Sequence, residues 1–350
     1  MKKWNLFALV FVLSALFCLA GNSVVYSGGR MIDLTPGAKR GQATGINASG
    51  QIVGWSDNFT TSNSYSRAFL YSEGKMTNLG TLPGGTYSIA TGINDRGQVV
   101  GYSTLPNNNI YHAFLYSGGE MTDIGTLGGT HSKANGINDS GQIVGWAYTD
   151  SGQQRAFLYS GGKMTDIGSL PGTTYSVATG INDNGQIVGY AGIASGKHHA
   201  FLYSGGVMTD IGSLPGTTYS VAYGINDSAQ IVGLSYAETG QYHAFLYSEG
   251  KMTDLGNLGG SSTIAYGINA SGQVVGVSSI PYGPDHAFLY SGGKMTDLGT
   301  LGGAGSTAYG INKSGKIVGF ANLDNSLYHP FLYTPASHSL PAILSLLLGD

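Results

Sequence analysis

The chain has 350 residues, only 10% of them charged, and a formal net charge of −3. That balance excludes a polybasic surface, and with it nucleic-acid binding driven by phosphate neutralisation. A single cysteine, Cys18, excludes an intrachain disulfide.

Residues 1–20, MKKWNLFALVFVLSALFCLA, place two lysines before an apolar run that ends in small residues. This is the pattern of a signal peptide, with cleavage expected after Ala20; an uncleaved N-terminal anchor is the alternative. Phe17 is too large for the residue before a lipidated cysteine. The exported chain would hold no thiol, because Cys18 lies inside the segment. The location implied is secreted or extracellular, with the cell surface or periplasm as variants.

From residue 22 to 335 the chain repeats itself. Gly-Ile-Asn recurs at Gly45, Gly92, Gly136, Gly180, Gly224, Gly267 and Gly310, at spacings of 47, 44, 44, 44, 43 and 43 residues. Periods of this length mark propellers or helical arrays. The abundance of Gly, Thr, Val and Tyr, with breakers every few residues, excludes helices. Each unit holds four short strands. In residues 178–211 they are ATGIN, QIVGY, HAFLYS and VMTDI, here called a, b, c and d. Gly-Gly or Glu-Gly between c and d suits a two-residue hairpin turn with positive φ. Asn-Asp-x-Gly between a and b suits a slightly longer one. Ala229 replaces that glycine in one copy, at a cost of about 1–2 kcal/mol if the site is left-handed.

Four antiparallel strands repeated seven times predict an all-β, seven-bladed β-propeller. The chain enters mid-repeat with VVYSGGRMIDL (24–34) and leaves mid-repeat after PFLYT (330–334), so both ends can complete one blade. Both VVYS and FLYT qualify as its c strand. The tail, 336–350, is apolar but shorter than the ~20 residues of a spanning helix, so the mature chain is expected to have no transmembrane span. Packing, association and a sorting role stay open for it.

The HAFLYSGGKMTDLGTLGG and GINxxGQIVG segments, with His-Ala-Phe at His112, His199, His243 and His286, resemble the HAF-repeat family of bacterial extracellular proteins. The resemblance covers about residues 22–335 and implies export and a repeat fold. It brings no activity that can be carried over residue by residue. Some relatives carry a Pro-Glu-Pro sorting tail; this chain has Leu-Pro-Ala there.

A basic residue opens every c strand: Arg67, His112, Arg155, His199, His243, His286 and His329. With a two-residue turn, Phe opposes Asp across the c–d hairpin, and the basic residue lies diagonal to that Asp. The pairs implied are Arg67–Asn78, His112–Asp123, Arg155–Asp166, His199–Asp210, His243–Asp254 and His286–Asp297. His329 is left to Asp33 at the other end of the chain. Arginine does not ligate metals, and one residue per blade is too dispersed to share one ion. These residues are therefore structural, and no metal site is expected. Asn-Asp-x-Gly turns resemble calcium loops, but Ala48, Ala270 and Lys313 replace the Asp.

The copies disagree most in the b–c loops, which share one face with the d–a connections. Those loops are rich in Tyr, Asn, Gln and Ser, which suits sugar rings or polar peptide surfaces. The ligand candidates are Tyr65, Tyr111, Tyr148, Tyr236, Tyr242, Tyr282 and Tyr328, joined by Tyr87, Tyr175 and Tyr219 from the d–a segments. His131 takes the matching place in its repeat. Trp55, Tyr102, Trp146 and Tyr190 end strand b and are read as inter-blade core.

Catalysis needs a gathered acid, base or nucleophile. The unshared carboxylates Asp57, Asp150, Glu238, Asp285 and Asp324 fall one per loop. The sequence is therefore read as a non-catalytic binding or scaffold module for a glycan or an extracellular protein, without a cofactor. A glycan hydrolase or lyase is the alternative and would need two carboxylates, such as Glu238 and Asp285, within ~5–10 Å. A structural surface-layer component is another, and would self-associate.

Overall fold

A computed structural model describes residues 23–26, 28–36, 40–59, 65–106, 109–192, 196–323 and 327–336. The signal-like segment 1–20, Asp324 and the tail from residue 337 lie outside the described residues. Within them the chain forms seven antiparallel sheets arranged as blades, with a short 3-10 turn at Asp57–Phe59.

The fourth blade shows why the repeat folds as it does. Its strands are a, Tyr175–Ile181; b, Ile187–Gly192; c, His198–Ser204; and d, Val207–Asp210, in that spatial order. The a–b turn closes as the Gly185 N–H donates to the Asn182 carbonyl at 3.1 Å, with Gly185 at φ +75°. The c–d turn places Gly205 and Gly206 at φ +57° and +87°. Ala229 does adopt the left-handed conformation of its glycine counterparts, at φ +58°. The c–d register opposes Phe201 to Asp210, Leu202 to Thr209, Tyr203 to Met208 and Ser204 to Val207.

The closing blade is built from both chain ends. Ser306–Ile311, Ile317–Asn322 and Tyr328–Pro335 supply a, b and c, and Gly29–Asp33 supplies d. FLYT is thus the c strand. Ser23–Tyr26 pairs outside Gly29–Asp33 as a fifth strand, so among the described residues this blade alone exceeds four.

The core lies between blades. One cluster joins Val144, Ala156, Ile167 and Leu170 of the third blade to Ala178, Ile187 and Phe201 of the fourth. The phenylalanine of every c strand (Phe69, Phe114, Phe157, Phe201, Phe245, Phe288 and Phe331) is fully buried. Each such side chain contributes about 1.5–3 kcal/mol by leaving water. The room beneath it comes from a glycine in strand b. At Gly189 an added Cβ would collide with the Val177 carbonyl oxygen and lie 2.9 Å from Phe201 Cζ. Strand a bulges opposite that point, between Ala178 and Gly180.

At the axis the blades are tied by a closed circle of asparagines. Asn47, Asn94, Asn138, Asn182, Asn226 and Asn269 each donate Nδ2 to the next asparagine's carbonyl at 3.0–3.1 Å. Asn312 completes it by donating to the Asn47 carbonyl at 3.0 Å. All seven are buried, so an unmade bond here would cost about 1–3 kcal/mol.

Candidate functional site

Strand a is innermost, so its side chains line the axis. On the face carrying the b–c and d–a connections they surround a funnel of about 700 Å³. Deeper, the Gly-Ile pairs of all seven blades line a narrower section of about 210 Å³. Beyond them the a–b turns, each opening with Asn, ring a cavity of about 350 Å³.

The residue before each Gly-Ile breaks the sevenfold symmetry of the funnel. The first four blades place Thr44, Thr91, Asn135 and Thr179 there; the last three place Tyr223, Tyr266 and Tyr309. The small residues tie each blade to the next: Thr44, Thr91 and Thr179 donate Oγ1 to the following blade's Ala carbonyl at 2.8–2.9 Å, and Asn135 donates Nδ2 to the Ala178 carbonyl at 2.7 Å. The tyrosines give up that bond and form a wall, with ring centroids 5.1 Å apart at both contacts. Burial, reinforced by neighbouring phenols and, at Tyr266, first by the Asp285 carboxylate, raises their pKa, so they stay neutral. No hydrogen bond is made by their hydroxyls among the described residues, which leaves three O–H groups for a ligand.

Across the axis, in the third blade, stands Lys133. Its Nζ lies 4.2 Å from the ring centre of Tyr102, 5.0 Å from that of Tyr111 and 5.9 Å from that of Trp146. Burial lowers its pKa. His198 also lines the funnel, donates from Nδ1 to the Gly196 carbonyl at 2.9 Å, and is kept toward the neutral form by burial.

Sequence reasoning had sought the ligand in the loops. Of those ten tyrosines, Tyr175 lines the funnel. Tyr87, Tyr111 and Tyr148 belong to an aromatic chain through Tyr102, His131 and Trp146. Tyr219, Tyr236 and Tyr242 continue from Tyr175 through Tyr190 and His198, with Tyr219 stacked on Tyr236 at 5.3 Å. Tyr328 packs on Trp55 and Phe320. Tyr65 and Tyr282 are exposed at the rim; Tyr282 stands wholly in solvent at φ +56°. Trp146 and Tyr190 are funnel wall rather than inter-blade core. The missed residues, Lys133, Tyr223, Tyr266 and Tyr309, had a signal: each interrupts a strand position that is otherwise small and polar or aliphatic.

The histidine row sits away from the funnel. Nδ1 of His112, His199, His243 and His286 lies 2.7, 2.7, 3.0 and 2.8 Å from Oδ2 of Asp123, Asp210, Asp254 and Asp297. The other oxygen of each carboxylate accepts the N–H of the glycine two residues on, at 2.7–2.8 Å. His329 meets Asp33 at 2.8 Å. The arginines turn elsewhere. Arg67 donates to the Thr86 carbonyl instead of meeting Asn78, and Arg155 donates to Gln153 Oε1 at 3.0 Å instead of reaching Asp166. Their longer side chains overshoot a diagonal that an imidazole just spans.

These pairs make stability depend on pH. The Asp297 hydrogen bond and charge raise the His286 pKa against an opposing effect of burial. Burial acts to raise Asp297, but the bonds from His286 and Gly299 outweigh it and leave the carboxyl below its ordinary value. A raised histidine contributes fully below its unfolded pKa of about 6.5 and fades as pH rises through its folded value. A depressed aspartate contributes above its unfolded pKa of about 3.9 and fades as pH falls through its folded value. The Tm difference between wild type and Asp297→Asn is therefore expected to be widest between about pH 4 and 6.5 and to narrow by pH 8. Its size reflects about 0–1 kcal/mol, since the pair is partly exposed. A difference that grows toward pH 8 would reverse this account.

No carboxylate lines the funnel among the described residues. Asp57 is buried and held by Arg40 at 3.0 Å and Ser66 at 2.8 Å; Asp285 accepts from Ser279 at 2.8 Å. Among the described residues no group of three or more His, Cys, Asp or Glu is placed to hold a metal ion, and no helix is long and apolar enough to cross a membrane.

No family model matches the chain. No curated protein matches it either. Its fold is similar to that of the β-propeller domain of the Trilobed protease from Pyrococcus furiosus, an open-velcro propeller, with a TM-score of 0.58 and 10% identity over 86% of this chain and 96% of that one. It is also similar to a puromycin hydrolase, with a TM-score of 0.53, 11% identity and coverage of 92% of this chain and 55% of that one. A puromycin-hydrolyzing peptidase from Mycobacterium tuberculosis gives 0.50 and 9%, over 92% and 53%. The chain thus spans about half the length of these two hydrolases. At such identities the likeness shows the fold alone, and the HAF-repeat resemblance rests on its motifs. The likeness also corrects the expectation that the protein is not an enzyme. Two hydrolases contain this fold in about half of their length, so the fold does not exclude an enzyme.

Proposed function

We propose that the protein is an exported binding module that takes a carbohydrate into its axial funnel. Residues 1–20 would direct export, residues 22–335 would form the binding unit, and residues 336–350 would be a separate tail. The observation that carries the reading is the broken ring: Tyr223, Tyr266 and Tyr309 stand together, opposite Thr44, Thr91 and Asn135. Aromatic faces suit the apolar faces of sugar rings, and phenol, hydroxyl and amide groups suit their hydroxyl edges. The volume falls within the ~300–1,000 Å³ of small-ligand pockets.

A glycan array probed with the purified protein, followed by titration of the best binder, tests this. Tyr266→Ala is expected to weaken binding about tenfold, which corresponds to ~1.4 kcal/mol. Tyr282→Ala, at the exposed rim, is expected to leave it unchanged. The reverse result would place the ligand on the loop rim and remove the funnel from consideration.

A further inference from the structure

Among the described residues Lys133 is the single Lys or Arg lining the funnel, and no carboxylate lines it. Its Nζ rests near three aromatic rings and forms no ion pair among the described residues. Ring faces attract a cation but accept few of its three N–H bonds, so the ammonium keeps donors to offer. A half-buried cation without a counter-ion costs free energy, which an arriving anion offsets. The third blade lies three places from the sixth around the ring, so Lys133 faces the Tyr266 side of the wall across the axis.

We propose that the funnel selects an acidic sugar, a glycan unit bearing a carboxylate such as a hexuronate, and that Lys133 receives the carboxylate while the tyrosine wall carries the sugar face. This rests on the carbohydrate reading above. Attraction between a sheltered ammonium and a carboxylate exceeds that in open water, so the charge is expected to decide between ligands of the same shape.

Calorimetric titration with trigalacturonate, its methyl ester and neutral galactotriose tests the assignment. The acid is expected to bind at least tenfold tighter than the ester, with the preference shrinking as salt rises. Lys133→Met keeps the unbranched stem and removes the charge. It should abolish the acid-over-ester preference, and Lys133→Arg should retain most of it. Equal binding of acid and ester by wild type would overturn the inference while leaving the carbohydrate reading intact if Tyr266→Ala still weakens both. So would an acid preference that survives Lys133→Met. Tighter binding of a peptide's free C-terminal carboxylate than of any uronide would overturn the sugar assignment, and no binding of any saccharide would overturn both readings together.

Discussion

His329→Ala is expected to destabilise the whole propeller by about 3–5 kcal/mol, the cost of leaving a buried charge unpaired. The pair it breaks is the one member of the histidine row out of solvent: the His329 and Asp33 side chains are 2% and 8% exposed, against 44% each for His199 and Asp210. In the other blades the two residues sit on one hairpin, and a two-residue turn keeps the strands together if the bond is lost. Here 296 residues separate them, and the bond joins the two ends of the chain. Asp33 would keep its second bond, from the Thr35 N–H at 2.8 Å, but lose the one from His329. Chemical denaturation of His329→Ala beside His199→Ala reads the difference, since the exposed pair is worth about 0–1 kcal/mol. Equal midpoints for the two variants would show that the closing pair does not hold the ring. Faster proteolysis of residues 23–33 in His329→Ala would accompany a true opening.

Gly189→Ala is the second large effect, at about 3 kcal/mol, the upper range for overpacking a filled core. The new methyl would collide with the Val177 carbonyl oxygen and meet Ala178 Cα and Phe201 Cζ at 2.9 Å. A side-chain tip can swing away, but a carbonyl within a sheet moves only if the a–b pairing opens, so ladder hydrogen bonds are lost as well. Gly161→Ala is the control. It sits in an exposed turn at φ +58° with nothing within 4 Å of its added Cβ, so it bears only the left-handed penalty of about 1–2 kcal/mol. A thermal melt that shows Gly161→Ala to be the more damaging would refute the packing role given to the strand-b glycine.

Most of the architecture could be read from the chain because its information is local. Strand count, turn chemistry and c–d register follow from period-two alternation and Gly placement, and Phe201 does oppose Asp210. The choice between VVYS and FLYT was not local. Either makes a c strand, and only packing against Ile317–Asn322 at the far end of the chain decides it. The glycine of QIVGY has its reason in a phenylalanine and a bulge on two other strands, which the strand's own sequence does not show. The site was harder. Loop variability drew attention to the rim, yet the change from Thr179 to Tyr223 was present in the repeat. Its meaning needed the ring geometry, which brings Tyr223, Tyr266 and Tyr309 side by side and sets Lys133 across from them. The arginine pairings failed for a similar reason: diagonal placement fixes where a side chain starts, and its length fixes where it ends.

The mixed origin of the closing blade also sets an order of events during synthesis. Gly29–Asp33 leaves the ribosome among the first strands, and Tyr328–Pro335, against which it pairs, is among the last. Each intervening blade is a meander of neighbouring segments and can form as it emerges, stacking on the one before. The closing blade cannot. Until residue 329 arrives, Asp33 has no histidine to meet, and the chain is an open arc with an uncovered face at each end. A chain cut short before Tyr328 would therefore lack more than one strand; it would lose the step that turns a row of blades into a ring.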